Sequence, residues 1–184
     1  MHPSAMAFAT SALTADDVRG KIVIEAGALN VNGSVRPHVE SLGPASYTAT
    51  DVRTGPGVDL ACDAADLLGL LGRAGVVIST EMLEHARDWQ AAMRGLVDAV
   101  AEGGVLVLTT RSAGFPLHDY PGDHHRFPVK SMREILGAAG LDVERCEPDP
   151  EFPGVFAKAR KPHGWSWPEG TAERWAAVRV DPPR

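Results

Sequence analysis

The sequence of 184 residues predicts an α/β fold: a doubly wound sheet of seven strands that is mostly parallel and ends in an antiparallel hairpin. One observation behind this prediction is the alternation of short β-rich runs with helical stretches along the chain. A second is the continuous apolar run Gly75–Thr80, which is typical of a strand buried on both faces of a sheet. A third is the pair of β-rich runs after residue 140, which a Pro-rich turn joins.

The individual elements follow from local patterns. We expect a first helix within Ser11–Arg19, capped by Thr14. A later helix over residues 131–139 has Ser131 as its N-cap and Glu134 to complete a capping box. The predicted strands are Lys21–Ala26, Ser46–Asp51, Val58–Cys62, Gly75–Thr80, Gly104–Thr110, Leu141–Cys146 and Gly154–Arg160, and the remaining predicted helices are Val35–Glu40, Asp63–Leu71 and Leu83–Ala101.

The chain is expected to form one domain over residues 1–160, followed by a tail or strap over residues 161–184. The tail holds three of the four tryptophans, Trp165, Trp167 and Trp175, among prolines and charged residues. Large rings of this kind bury much apolar surface when they pack. We therefore expect the tail to pack on the domain rather than to act as a lid.

Charge and composition narrow the class of protein. The net charge of −6 argues against a dedicated binder of nucleic acid or of an anionic membrane surface. No apolar run approaches the roughly 20 residues needed to span a bilayer, and the first residues lack the basic region of a secretory signal. Cys62 and Cys146 follow no zinc or redox spacing and are expected to be reduced core thiols. These features favour a cytoplasmic enzyme.

Three carboxylates stand at the carboxyl ends of three successive predicted strands, as Glu25, Asp51 and Asp63. Ligands of open α/β sheets bind outside the carboxyl ends of the strands, so these side chains are expected at one site. Gly27 permits a tight turn there, but its surroundings do not have the G-x-G-x-x-G spacing of dinucleotide binders. Asp63 is equally suited to capping the next helix, and Asp51 to an ordinary turn. Together the three acids favour a ligand that carries an amine and a ribose.

An acid–imidazole cluster follows the fourth predicted strand. If a helix begins near Glu81, then Glu81, Glu84 and His85 occupy positions i, i+3 and i+4 and project from one face. Two oxygen ligands and one imidazole on that face are suited to a divalent cation, or to accepting a substrate proton.

With these motifs, residues of about 20–160 resemble the class I S-adenosylmethionine-dependent methyltransferases, which have a Rossmann-like sheet. The resemblance implies that Glu25 and Gly27 lie against the methionine moiety of the cofactor and that Asp51 holds the ribose hydroxyls. Asp63 with Ala64 would meet the adenine. The commoner family loop has three alternating glycines, of which only Gly27 is present here. The other cofactor-binding residues that we expect are Asn30, Val52 and Thr80.

Glu81–His85 is also similar to the Glu-x-x-Glu-His motif of methyltransferases that place a divalent metal beside the methyl donor, among them small-RNA 3′-end 2′-O-methyltransferases. That resemblance implies a metal site of Glu81, Glu84 and His85. The fourth ligand would come from the loop after the fifth strand, as His125, or as His124 if the register slips by one. Mg²⁺, Mn²⁺, Fe²⁺ and Zn²⁺ all suit such ligands. The metal-free alternative makes His85, His124 or His125 the general base.

The sequence therefore predicts an S-adenosylmethionine-dependent methyltransferase that methylates a hydroxyl of a small molecule, such as a natural-product or sugar-like acceptor. An RNA 3′-terminal 2′-O-methyltransferase and a non-catalytic cofactor-binding protein remain alternatives. The site is expected to be open, so a second subunit of a homo-oligomer could partly cover it. Candidate walls for the acceptor are Phe115, Tyr120, Phe127 and the tail tryptophans.

Overall fold

The computed structural model describes residues 2–118 and 122–183. Its strands are β1 Ile22–Ala26, β2 Ser46–Asp51, β3 Leu60–Ala61, β4 Ala74–Thr80, β5 Val100–Arg111, β6 Asp142–Pro148 and β7 Gly154–Arg160. They form one sheet in the order β3-β2-β1-β4-β5-β7-β6. Strands β1 to β5 pair in parallel, whereas β7 pairs antiparallel with both β5 and β6. The predicted seven-stranded sheet with a C-terminal antiparallel hairpin is confirmed.

The helices cover both faces of this sheet. They are α1 Pro3–Ala12, α2 Ala15–Val18, α3 Arg36–Ser41, α4 Leu67–Leu71, α5 Trp89–Ala99, α6 Val129–Ala138 and α7 Thr171–Ala177, and short 3₁₀ turns cover Ala64–Asp66 and Leu83–His85. Side chains alternate along β4, so that Val76 and Ile78 pack on one face while Val77 packs on the other. This strand is buried on both faces, as its apolar run indicated.

Helix α1 was not predicted from the sequence. Its buried residues Ala5, Phe8, Ala9 and Ala12 have the spacing i, i+3, i+4 and i+7, and Pro3 stands at its first turn. Phe8 stacks on Phe156 of β7 at 5.0 Å between ring centroids. The apolar stripe is mostly alanine, which gives only a weak signal, and the packing against the sheet stabilises the helix.

Two predicted helix caps have different outcomes. Thr14 caps α2, and its side chain forms a reciprocal capping box with Asp17. The capping box that begins at Ser131 is wrong, because α6 begins at Val129, immediately after Pro128. The Ser131 hydroxyl instead donates to the Arg179 carbonyl at 2.6 Å. A tertiary contact with the tail therefore overrides the local pattern.

The segment after residue 160 packs along α5 and α6. Trp175 is buried in the main core, and its indole N–H donates to the Ile135 carbonyl at 2.9 Å. Trp165 and Trp167 donate to the Ala139 carbonyl and the Asp98 carboxylate. Each ring thus has its polar atom paired.

Two further expectations concern thiols and membranes. Cys62 and Cys146 are free cysteines; Cys146 is buried in the core, whereas Cys62 is only partly buried against it. Across residues 2–118 and 122–183, none of the helices combines the length and the apolar character that crossing a lipid bilayer requires.

A buried cluster of charges joins α2 to the hairpin. The Asp17 carboxylate accepts hydrogen bonds from Lys158 Nζ at 2.8 Å and from Arg160 Nη2 at 3.1 Å. Burial alone would raise the pKa of Asp17, but these hydrogen bonds, with those from Thr14, outweigh it and lower the pKa to about 2.

We therefore expect Asp17 to make folding stability depend on pH. Because its folded pKa lies below its ordinary value, the stabilisation of roughly 2 kcal/mol is complete above about pH 4 and is lost as the pH falls towards 2. Urea unfolding of the wild type and Asp17→Asn should differ at neutral pH and converge in acid. Asp16→Asn, at an exposed neighbouring position, is the control. A difference that stays constant with pH would contradict this assignment.

Candidate functional site

A cavity of about 790 Å³ lies at the carboxyl ends of β1, β2, β4 and β5. Its size and position suit a nucleoside-sized ligand with a second small molecule beside it. One part, here called the acidic half, contains Glu25, Asp51 and Asp63. The other part, called the histidine half, contains His2, Glu81, His85, Arg111, Phe115 and His118. The two halves meet at the end of β4.

The structure brings the three predicted acids into one cavity. Glu25 is buried, which raises the pKa of its carboxyl group, and the Tyr47 hydroxyl donates a hydrogen bond to it. The Asp51 carboxylate accepts from the backbone N–H groups of Leu29 at 3.3 Å and Arg53 at 3.0 Å. These contacts fix both side chains at the strand ends.

Asp63 both caps a turn and lines the cavity. Its carboxylate accepts from the Ala65 backbone N–H at 2.9 Å and so caps the 3₁₀ turn, while the residue also lines the cavity. The other predicted cofactor-binding residues that line the cavity are Gly27, Val52, Ala64 and Thr80.

Gly27 permits a close approach of the backbone, and the group that lies against it is the side chain of Met82. It has φ of +79°, and a Cβ atom there would lie 2.4 Å from the Cβ atom of Met82. A larger residue would push Met82, and with it the turn after β4, out of position.

Asn30 does not line the cavity, contrary to its predicted contact with the cofactor. Its side-chain oxygen accepts from the Gly33 N–H at 2.9 Å, and its own N–H donates to the Pro56 carbonyl. Asn30 therefore shapes the loop after β1, since its side-chain oxygen and its backbone N–H both bond to backbone atoms of the loops.

The turn after β4 differs from the predicted helix. Strand pairing continues past Thr80, because the Glu81 N–H donates to the Thr109 carbonyl at 2.8 Å. Glu81 adopts the left-handed backbone conformation, with φ of 53°, and a 3₁₀ turn follows over Leu83–His85. Helix α5 begins only at Trp89, capped by Asp88. The prediction of one helix face for Glu81, Glu84 and His85 is therefore wrong.

The two glutamates consequently point to different partners. Glu81 accepts from the His2 N–H at 2.9 Å and forms an ion pair with Arg111. Glu84 lies beneath the cavity with no exposed surface, and it accepts from the Thr110 hydroxyl at 2.7 Å. Burial raises the pKa of Glu84 to about 7. Its Oε1 atom has no hydrogen-bond partner among the described residues.

His85 is held in one orientation at the boundary of the two halves. Its Nδ1 atom contacts the Gly122 carbonyl oxygen. Because a carbonyl only accepts hydrogen bonds, the hydrogen of the neutral ring resides on Nδ1. The Nε2 atom then has a lone pair, and His85 lines the cavity. In this tautomer Nε2 is the ring atom that can accept a proton.

Among the described residues, Glu84, His85 and His118 have potential metal-ligand atoms within 4.8 Å of one another. Glu81 and His125 lie outside this group, which corrects the predicted ligand set. The His125 ring contacts the Arg87 carbonyl through Nε2 at 3.3 Å.

His124 and His125 also fall outside the cavity lining, so their predicted catalytic role is not supported by their position. Their backbone N–H groups donate to the Glu84 carbonyl at 2.9 and 3.2 Å. Both residues thus support the turn that holds Glu84 rather than facing the cavity with their rings.

His118 was missed as a site residue, although it stands in the same histidine-rich loop. The Asp123 carboxylate accepts from its N–H at 3.0 Å and lies 3.1 Å from its Nδ1 atom. Arg126, itself buried, pairs with Asp123. The contacts of Asp123 with Arg126 and with the His118 N–H thus hold the loop so that His118, rather than His124 or His125, lines the cavity.

The expected acceptor walls have four different outcomes. The tail tryptophans Trp165, Trp167 and Trp175 do not line the cavity. Phe115 lines the cavity, whereas Phe127 is buried in the main core. Tyr120 lies outside the described residues.

Residues 16–145, more than half of the chain, match the family model of a methyltransferase domain. The chain belongs to this methyltransferase family. The expected resemblance to the class I S-adenosylmethionine-dependent methyltransferases is thereby confirmed, together with the class of enzyme. No curated protein sequence matches this methyltransferase.

Solved structures share the fold of this methyltransferase. The 1,6-didemethyltoxoflavin N1-methyltransferase of Burkholderia thailandensis has a TM-score of 0.70 and 19% identity, covering 86% of this chain and 78% of that chain. An S-adenosylmethionine-dependent methyltransferase of Mesorhizobium loti has a TM-score of 0.64 and 16% identity, covering 85% and 98%. Magnesium protoporphyrin IX methyltransferase of Synechocystis has a TM-score of 0.63 and 18% identity, covering 85% and 77%. At these identities the likeness concerns the fold alone.

Proposed function

We propose that this methyltransferase binds S-adenosylmethionine in the acidic half of the cavity and methylates a hydroxyl of a small molecule held in the histidine half. The observation that carries the proposal is the position of His85, whose Nε2 lone pair is directed by the Nδ1 contact with Gly122. The solved Burkholderia structure contains 1,6-didemethyltoxoflavin together with S-adenosylhomocysteine, which supports the use of this fold for a small acceptor.

The acidic half offers suitable groups for each part of the cofactor. Each carboxylate oxygen of Asp51 accepts one backbone hydrogen bond and retains a further lone pair for a ribose hydroxyl. Glu25 and Gly27 are placed for the methionine moiety, and Asp63 with Ala64 for the adenine. All five residues line the same cavity.

The transfer itself requires a positioned acceptor and a proton acceptor. The acceptor oxygen forms a bond to the methyl carbon while the carbon–sulfur bond breaks, which leaves S-adenosylhomocysteine. The hydroxyl proton passes to His85 Nε2. The contact between Nδ1 and Gly122 holds the ring in place and stabilises the charge that it gains.

The negative charge of the protein favours a small acceptor over RNA. The net charge of −6 opposes phosphate binding, and the acceptor half contains the carboxylate of Glu81. Methyl-labelled S-adenosylmethionine offered with a panel of phenols, alcohols and amines tests the proposal. We expect label in hydroxyl acceptors. Label confined to amines, or no transfer at all, would contradict it, and the second result would favour a non-catalytic cofactor-binding protein.

A metal-assisted form of the same reaction is the second candidate. Glu84, His85 and His118 would hold the ion, and the unpartnered Oε1 atom of Glu84 favours such a site. A divalent ion bound there would lower the pKa of a coordinated hydroxyl and orient its oxygen. Of the ions considered, Mn²⁺, Fe²⁺ and Zn²⁺ suit the two imidazoles better than Mg²⁺.

Removal of divalent ions by a chelator distinguishes the metal-free reaction from the metal-assisted one. With His85 as the proton acceptor, dialysis against EDTA should leave turnover within about twofold of the untreated enzyme, and this is the result that we expect. With a metal-assisted reaction, turnover should fall by at least about tenfold and return with one divalent ion. Affinity for S-adenosylhomocysteine, measured in parallel, should stay constant in both cases because the acidic half contains no part of the metal group.

A further inference from the structure

One side of the histidine half consists of aromatic rings in mutual contact. We call it the ring wall (His2, His85, Phe115 and His118), and all four residues line the cavity. The Phe115 ring meets the rings of His118 and His2 edge-on, at 5.0 and 5.6 Å between centroids. His118 in turn meets His85 at 4.8 Å. Together the rings present a continuous aromatic surface to a molecule beside the methyl donor.

Arg111, at the end of β5, packs against the ring wall. Its guanidinium is 1% exposed and pairs with two carboxylates, those of Glu81 and of Asp149 at 3.1 Å. It also lies 4.3 Å over the centre of the Phe115 ring. Since two carboxylates neutralise the guanidinium, the wall offers no unmatched cation to an anionic acceptor.

The same two carboxylates hold the start of α1. Glu81 accepts from the His2 N–H at 2.9 Å, and Asp149 accepts from the Ser4 hydroxyl at 3.1 Å. The His2 ring is further supported by Phe152, at 4.5 Å between centroids. Helix α1 thereby places the His2 ring on the wall, although it lies far in sequence from the other three members.

A surface of this composition discriminates between acceptors. A sugar-like acceptor needs a dense set of hydrogen-bond partners. In the ring wall Phe115 has no hydrogen-bonding atom, and the Nδ1 atoms of His85 and His118 already face the Gly122 carbonyl and the Asp123 carboxylate. A planar aromatic molecule gains both apolar contact and ring–ring geometry there.

We propose that the ring wall binds a planar aromatic acceptor such as a phenol, and that His2 is a specificity-determining residue presented by α1. This rests on the proposed function, because it assigns the acceptor class of the same cavity. It narrows the expected range of acceptors, which included sugar-like molecules.

Titration calorimetry of the full chain saturated with S-adenosylhomocysteine tests this proposal, with naphthol and glucose as probes. We expect naphthol to bind and glucose to bind far more weakly. His2→Ala and Phe115→Leu should each weaken naphthol binding by about tenfold. Ala7→Ser, at an exposed position of α1, should leave it unchanged. If Phe115→Leu lowers the melting temperature, His2→Ala decides the result.

Unchanged naphthol affinity in His2→Ala, or glucose binding as tight as naphthol binding, would overturn the acceptor assignment. Such a result would leave the proposed function standing if S-adenosylhomocysteine still binds. Absence of S-adenosylhomocysteine binding by the wild type would overturn both.

Discussion

Replacing His85 by Asn is expected to lower kcat by about 10²- to 10⁴-fold, the usual contribution of a positioned general base. The Asn side-chain amide can still donate to the Gly122 carbonyl as Nδ1 does, because it occupies a similar position. It has no atom in the place of Nε2, so the proton of the acceptor hydroxyl has no base to receive it. Affinity for S-adenosylhomocysteine should stay within about twofold of the wild type.

His125→Asn is the matched control, since His125 belongs to the histidine-rich loop but does not line the cavity. Its turnover should fall by less than about threefold. Steady-state kinetics with a labelled methyl donor would measure both variants. An equal loss in the two variants would show that the loop structure, rather than the His85 lone pair, limits the reaction.

Gly95→Ala is expected to have the largest effect on stability. Gly95 lies within α5, and a Cβ atom there would be 2.0 Å from the Ala64 carbonyl oxygen and 2.6 Å from the Ala65 Cα atom. These are backbone atoms that cannot rotate away, so the helix and the turn must separate. We expect a loss of about 1–3 kcal/mol or more in the free energy of unfolding. Because Ala64 lines the cavity, cofactor affinity should fall as well.

Gly137→Ala provides the opposite case within α6. Nothing lies within 4 Å of a Cβ atom at that position, so the substitution only removes the entropic cost of a helical glycine. It should stabilise the protein by about 0.5–1 kcal/mol, or at least not destabilise it. Urea unfolding of the two variants gives the comparison. Similar stability of both would mean that α5 packs against the Ala64 turn less tightly than the structure indicates.

The parts of the fold set by strong local patterns were predictable. The apolar run of β4 predicted a strand at the centre of the sheet. The acids Glu25, Asp51 and Asp63 at successive strand ends predicted the acidic half of the cavity. Parallel strands bring their carboxyl ends to one edge of the sheet. The prediction that the three acids share one site therefore did not depend on loop conformation.

The turn after β4 was not predictable from its own residues. Glu81 to His85 are compatible with a helix, and nothing local indicates a left-handed conformation at Glu81. Its hydrogen bond to the Thr109 carbonyl decides the outcome, and that contact depends on the pairing of β4 with β5. A tertiary contact thus overrides local propensity and separates Glu81 from the other members of the predicted cluster.

Tertiary contacts also decide that His118, and not His125, lines the cavity. Both lie in one loop, and the sequence alone does not fix which ring faces the cavity. The pairing of Asp123 with Arg126 and with the His118 N–H sets the path of the loop. The contribution of α1 to the histidine half could not be predicted either, because it depends on contacts of His2 and Ser4 with carboxylates that are distant in sequence.

The most direct test of the proposed cofactor site is calorimetric titration of S-adenosylhomocysteine into the wild type, Asp51→Ala and the control Asp142→Ala, which alters an exposed residue of β6. Loss of charge-assisted hydrogen bonds to the ribose should weaken binding to Asp51→Ala by about 1–3 kcal/mol. Binding to the Asp142→Ala control should match the wild type. Equal affinity in all three proteins, or no binding to the wild type, would contradict the placement of the methyl donor in the acidic half.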